Sequence, residues 1–165
     1  MITSVRWMVR RDMNEVLAIE EASFEFPWDA DIFWQVSCQR ETISMVAEMG
    51  RLVVGYVFYE LNYNHLFIMN FAVHPDFRRR YVASTMLRKV ISKINTTRRT
   101  HIDVEVRETN LVAQLCLRQN GFRAIKVLRD HYEETFDDAY LMRYHERDPV
   151  TALPLRRAAR GRLDF

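Results

Sequence analysis

Glycine is nearly missing from this chain: Gly50, Gly55, Gly121 and Gly161 are all that 165 residues contain. No G-x-G-x-x-G or G-x-x-x-x-G-K-[ST] motif occurs, so the familiar glycine-rich phosphate cradles are excluded. Lysine is scarce too. Only Lys89, Lys93 and Lys126 occur, so arginine supplies 24 − 3 = 21 of the basic side chains. The net charge of +2 is too mild to point to nucleic acid. Cysteine is limited to Cys38 and Cys116, which form no metal motif. One disulfide is arithmetically available, but a reduced cytoplasmic protein fits two cysteines better. Long apolar runs are absent as well. Met1 to Arg11 has no apolar signal core, and Leu52 to Val73 is broken by Glu60, Asn62, Asn64 and His65. The expectation is a soluble, cytoplasmic protein with no membrane partner.

What is present is globular. The chain is 48% hydrophobic and 28% charged, enough for one packed core. A single domain is expected over residues 1–148, followed by an arginine-rich, flexible tail at 149–165. Val5 to Val9 reads as a first strand. Asp12 with Glu15 reads as a capping-box relative ahead of a helix ending near Ser23. Asp29 can cap a second helix carrying Ile32, Phe33 and Val36. Ile43 to Met49 and Leu52 to Leu61 flank the turn Gly50-Arg51 and read as a hairpin. His65 to Val73 reads as a central strand buried on both faces. A helix over Ala83 to Asn95, a strand over Ile102 to Val106 and a helix capped by Asn110 follow. That helix stops at Asn120-Gly121. Phe122 to Leu128 and Ala139 to Tyr144 close the chain as strands. The order β-α-α-β-β-β-α-β-α-β-β predicts an α+β fold with a mixed sheet.

The informative stretch is Phe71 to Ser84: a strand, a turn, Arg78-Arg79-Arg80, then a helix start. A helix start presents unpaired N–H groups and the positive end of the helix dipole, so it attracts phosphate. A solvated charge run explains the same arginines, and the residues alone leave both readings open.

Here the chain resembles the GNAT N-acetyltransferases, and among them the RimI-like ribosomal-protein-alanine acetyltransferases. Arg78-Arg79-Arg80-Tyr81-Val82-Ala83 is similar to the family's [RQ]-x-x-G-x-[GA] acetyl-CoA loop. Glu20-Glu21 with Phe24, Pro27-Trp28 and Phe33 resembles the segment between its first two helices. Phe71-Ala72-Val73-His74-Pro75 resembles the end of its fourth strand. Glu105-Val106-Arg107, Asn110 and Asn120-Gly121-Phe122 resemble its E-V-R…N…GF block, and His131-Tyr132 with Asp138 to Met142 its closing hairpin. The match runs in order over roughly residues 3–145.

The resemblance implies a GNAT acyl-CoA N-acyltransferase fold and acetyl-CoA as acetyl donor. It implies that backbone N–H groups from Arg79 to Ser84, within the loop Arg78, Arg79, Arg80, Tyr81, Val82, Ala83 and Ser84, surround the pyrophosphate. It implies that Phe71, Ala72 and Val73 pair with the pantetheine arm, that Asn110 meets the thiol end, and that Glu105 is the catalytic base. The implied acceptor is a protein N-terminus such as that of ribosomal protein S18. An α-amine, with pKa about 7.7–8.0 against about 10.4 for lysine, asks less of a base. Strand alternation puts Asp103, Glu105 and Arg107 on one face, so pairing of Glu105 with an arginine is the competing structural reading.

Two residues depart from the pattern. Tyr81 stands where the loop glycine belongs; it can turn outward or lay its ring over part of the cofactor. If that backbone has φ > 0, Tyr81 carries strain of ~1–3 kcal/mol. Leu117 stands where the RimI-like pattern has a tyrosine that protonates the departing thiolate. Water, Tyr132, His131 or Cys116 are the replacements available. The alternatives to a protein N-acetyltransferase are a CoA-binding scaffold with weak or lost catalysis, a small-molecule amine acetyltransferase, and an arginine-rich RNA- or ribosome-associated protein.

Overall fold

The computed structural model describes residues 2–94 and 97–146. The tail expected at 149–165 lies outside the described residues. Among the described residues seven strands form one mixed sheet: β1 (Thr3–Trp7), β2 (Thr42–Met49), β3 (Leu52–Leu61), β4 (His65–Val73), β5 (His101–Arg107), β6 (Arg123–Tyr132) and β7 (Asp137–His145). Four helices join them: α1 (Met13–Ser23), α2 (Ala30–Ser37), α3 (Val82–Ile91) and α4 (Leu111–Gln119). The spatial order is β1-β2-β3-β4-β5-β7-β6. Only β4 and β5 run parallel; every other neighbouring pair is antiparallel. The α+β expectation and the element order both hold, with short 3-10 turns at Arg10–Asp12 and Pro75–Phe77 added.

Both faces of the sheet are covered. Alternation on β3 sends Tyr56 and Phe58 toward Val16 and Ile19 of α1 and Phe33 of α2. It sends Val57 and Tyr59 the other way, onto Leu87 and Val90 of α3 and Leu117 of α4. Each such side chain contributes about 1.5–3 kcal/mol by leaving water. On β4 the buried residues change face partway. Asn70 pairs with Phe58 and Ile68 with Tyr59, so Met69 is an extra residue, a bulge. Leu66 and Ile68 therefore join the α3 side and Ala72 the α1 side. Burial on both faces, expected for this strand, is reached in succession along it.

Local signals explain most boundaries. Asp29 accepts a hydrogen bond from Ile32 N at 2.8 Å and starts α2. Asn110 does the same for α4 through Ala113 N at 3.0 Å. Gly121, at φ +95°, ends α4 in a conformation that disfavours a side chain, with the Tyr144 ring 3.0 Å from where a Cβ would stand. Gly55 serves packing: a Cβ there would lie 2.9 Å from Ala72 O and 2.8 Å from Met86 Cε of α3. Asp12 departs from its expected role. It does not cap α1; its carboxylate accepts from Val9 N at 2.8 Å and from both Arg6 nitrogens at 2.7 and 2.9 Å. An arginine on the neighbouring strand outcompetes the helix start for this acid, and holds its pKa below the ordinary carboxylate value. β6 runs on to Tyr132, past the expected Leu128, because register shifts let it follow β7 into the closing hairpin.

Candidate functional site

The sheet opens at one place. β4 and β5 pair from His65↔His101 to Ile68↔Val104 and then part, while β4 keeps its hydrogen bonds with β3 as far as Val73↔Gly55. The parting leaves one edge of Met69–Val73 facing a cleft rather than a strand. A free strand edge presents regularly spaced donors and acceptors. Glu105 is the first residue of β5 beyond the last pair, so its carboxylate stands at the fork.

The loop after β4 closes one end of the cleft. Arg78 is folded back on it, with Nε donating to Val73 O at 3.1 Å and a terminal nitrogen to Ser23 Oγ at 3.3 Å. Arg80 lies over the Phe77 ring at 5.4 Å. Arg79 and Tyr81 both adopt positive φ, 59° and 62°. The left-handed backbone that glycine would supply is therefore kept by a tyrosine. Its side chain is 79% exposed. The first bond inside α3 runs from Thr85 N to Tyr81 O at 2.9 Å. The N–H groups of Val82, Ala83 and Ser84 precede it and are available to an anion. Ser84 Oγ is engaged by Asn120 Nδ2 of the α4 end at 3.1 Å.

On the α1 side of the fork, Asp103, Glu105 and Arg107 share a face and find three different partners. Arg143 grips Asp103 at 2.7 and 2.8 Å. Glu105 Oε2 meets His131 Nε2 at 2.7 Å. Arg107 pairs with Asp137 at 2.6 Å and holds that acid's pKa below the ordinary carboxylate value. The Arg107 guanidinium also lies over the Tyr132 ring at 3.8 Å and within 5.9 Å of the Phe26 ring. Arg107 thus bridges the segment before α2 and the β6–β7 hairpin, on the same face of β5 as Glu105. Phe26 is exposed there, whereas Phe33 is fully buried and Trp28 packs edge-on against it at 5.3 Å.

The sequence matches the Acetyltransferase (GNAT) family over residues 11–122. The chain belongs to that family. It is similar to the ribosomal protein bS18-alanine N-acetyltransferase of Salmonella typhimurium, 24% identical over 133 residues, 79% of this chain and 89% of that one. Its fold is similar to the ribosomal-protein-S18-alanine N-acetyltransferase from Escherichia coli, with TM-score 0.78 and 18% identity over 87% of this chain and 94% of that one. It is also similar to Arabidopsis thaliana NAA60 in complex with acetyl-CoA, with TM-score 0.75 and 17% identity over 88% of this chain and all (100%) of that one. As a GNAT enzyme the chain is an N-acetyltransferase that uses acetyl-CoA. The cleft fits that donor on its own chemistry: a free strand edge for an amide-bearing arm, and unpaired N–H groups at a helix start for phosphates. Among the described residues no helix is long and apolar enough to cross a membrane, and no cluster of side chains could hold a metal.

This GNAT fold brings most of the expected site together. Phe71, Ala72, Val73 and Glu105 flank the fork, and Arg79 to Ser84 form the loop at its end. Asn110 is placed as the α4 cap, its Oδ1 already used by Ala113 N. Leu117 is buried in the core. Cys116 is half-buried, and burial pushes its thiol pKa up. Two relationships were not foreseen. One is the Glu105–His131 contact. The other is a buried carboxylate, Glu20, 1% exposed, which accepts from Trp28 N at 2.7 Å, from Asn70 Nδ2 and from the Tyr56 hydroxyl. Its sequence signal was an acid at an apolar helix position between Ile19 and Ala22.

Proposed function

We propose that this acetyltransferase acts on the N-terminal α-amine of a protein, ribosomal protein S18 being the first candidate, with proton removal centred on Glu105. The observation that carries the reading is the position of Glu105 at the fork, beside the free edge of β4 and on the face where Arg107 joins Phe26 to Tyr132, the two residues that would wall an acceptor groove. A chain end can thread such a groove and present its amine to the carboxylate. Met69 to Val73 would hold the donor's arm by backbone pairing, and an N–H of Phe71 to Val73 would face the thioester oxygen as negative charge develops there. Val82, Ala83 and Ser84 N–H, with Arg79 and Arg80 beside them, would hold the phosphates. The relative from Salmonella typhimurium is named for alanine acetylation of bS18, which supports the choice of acceptor. In this reading the catalytic unit is residues 1–148.

The test is incubation with acetyl-CoA and a panel of peptides with varied N-termini, an S18-like one included, read by mass. Acetylation confined to α-amines is expected; transfer to small polyamines or lysine side chains instead would replace this acceptor. Glu105→Gln should lower turnover by roughly 10²–10⁴ and leave acetyl-CoA binding intact. Wild-type turnover in Glu105→Gln would remove Glu105 from the chemistry.

A further inference from the structure

The contact between Glu105 and His131 has a chemical consequence. Nε2 is the ring nitrogen that faces the carboxylate, 2.7 Å from Glu105 Oε2. A neutral ring that carries its hydrogen on Nε2 presents a free lone pair at Nδ1. Nδ1 makes no hydrogen bond with any described residue, and the side chain is 34% exposed. The ring is also held in place. Tyr132 packs edge-on against it at 5.1 Å and 89°, Arg107 covers Tyr132, and Asp137 fixes Arg107. The ring itself meets Glu105 and Tyr132, and the charged groups that face Tyr132 in turn are Arg107 and Glu105 on β5, Asp137 on β7 and Glu134 in the hairpin.

We propose that Glu105 and His131 work as one proton-transfer dyad, with His131 Nδ1 taking the proton of the attacking amine and returning it to the departing sulfur. This rests on the reading of Glu105 given above and names the atom that carries the proton. The neutral amine nitrogen forms a bond to the acetyl carbonyl carbon, and its N–H proton passes to Nδ1. The imidazolium so formed faces the Glu105 carboxylate, which stabilises it. The carbon–sulfur bond then breaks, its electron pair goes to sulfur, and Nδ1 gives the proton to that thiolate. Amide and thiol leave, the ring is neutral again, and nothing else is consumed. The dyad supplies the acid that the buried hydrocarbon of Leu117 does not. The other two side-chain candidates are weakened as acids. Burial raises the pKa of both the Cys116 thiol and the Tyr132 phenol, so neither group gives up its proton readily.

The experiment compares wild type with Glu105→Gln, His131→Gln and His131→Asn, using acetyl-CoA and an accepted peptide. Both His131 variants should lose roughly 10²-fold or more in kcat, with acetyl-CoA affinity by calorimetry unchanged. In ligand-free wild type, the imidazole 15N shifts of His131 should report a protonated Nε2 and an unprotonated Nδ1. That measurement stands whether or not either variant folds. Near-wild-type kcat in a folded His131 variant, or a ring protonated at Nδ1 alone, overturns the dyad. If Glu105→Gln is slow while the His131 variants are not, only the dyad falls. If Glu105→Gln is itself unimpaired, the reading of Glu105 falls with it.

Discussion

Glu20 on α1 and Asn70 on β4 are joined twice, Asn70 Nδ2 lying 3.2 Å from each oxygen of the Glu20 carboxylate. The bulge at Met69 makes this possible, because it turns Asn70 toward α1 rather than α3. The same carboxylate holds Trp28 N and the Tyr56 hydroxyl, so α1, the entry to α2, β3 and β4 converge on one side chain. Burial, with the Glu20 charge beside it, pushes the Tyr56 pKa far above the ordinary phenol value.

Removing that carboxylate strands two donors, Trp28 N and Asn70 Nδ2, while the Tyr56 hydroxyl keeps Asn70 Oδ1 at 3.1 Å. Glu20→Ala should cost about 3 kcal/mol, since each unsatisfied buried donor costs about 1–3 kcal/mol and part of that relaxes. Glu20→Gln keeps one acceptor and should cost less. Urea midpoints check both. Equal midpoints for wild type and Glu20→Ala would mean the donors find water instead.

Tyr81 holds a left-handed backbone at φ 62° with its side chain in solvent. Glycine would relieve strain of about 1–2 kcal/mol, less about 0.5–1 kcal/mol for the added freedom of the unfolded chain. Tyr81→Gly should therefore raise the thermal midpoint by about 2–4 °C per kcal/mol gained. It should also tighten acetyl-CoA binding, as no Cβ then stands between loop backbone and phosphate. Calorimetry with scanning and titration arms reads both effects.

Arg107 ties the groove walls through Tyr132 and Asp137. Arg107→Met keeps the apolar stem and loses the charge. The peptide KM should rise by about tenfold, in line with a cation–π contact and an ion pair worth about 1–2 kcal/mol together. Acetyl-CoA affinity should stay as it was. Steady-state kinetics over both substrates separates the two, and an unchanged peptide KM would detach Arg107 from the groove.

Stability should fall in two stages on acidification. His101 is buried in a stack with His65 and His145, and burial, then Arg143, lowers its pKa below the ordinary 6.5. The unfolded chain binds that proton more readily, so stability present above about pH 6.5 declines as pH falls toward the folded value. Asp12 is depressed by Arg6, so a second loss begins below about pH 4. Denaturant midpoints across pH measure both, and His101→Gln should flatten the upper stage alone.

Features governed by neighbours in sequence were legible beforehand. The Gly50-Arg51 hairpin, the bounds of β4, and the caps Asp29 and Asn110 follow from residues within a few positions of each other. The fork and its loop came through resemblance. The partners of Asp12, Glu20 and His131 were not legible, because a side chain's partner is set by register. Alternation placed Glu105 correctly on a face with Asp103 and Arg107. It said nothing of a β6 register shift between Leu128 and Tyr132, which carries a histidine over to it.

The seam at His65–Ile68 has a mechanical meaning. It is the hydrogen-bonded joint between a four-stranded and a three-stranded plate, and the free part of β4, Met69 to Val73, is a lever of five residues, 73 − 69 + 1. At about 3.3 Å per residue that lever is about 16 Å long, so a rotation of about 5° at the joint moves its tip by about 1.4 Å. The stacked rings of His65, His101 and His145 lie across that joint, so they brace the hinge from which the lever extends.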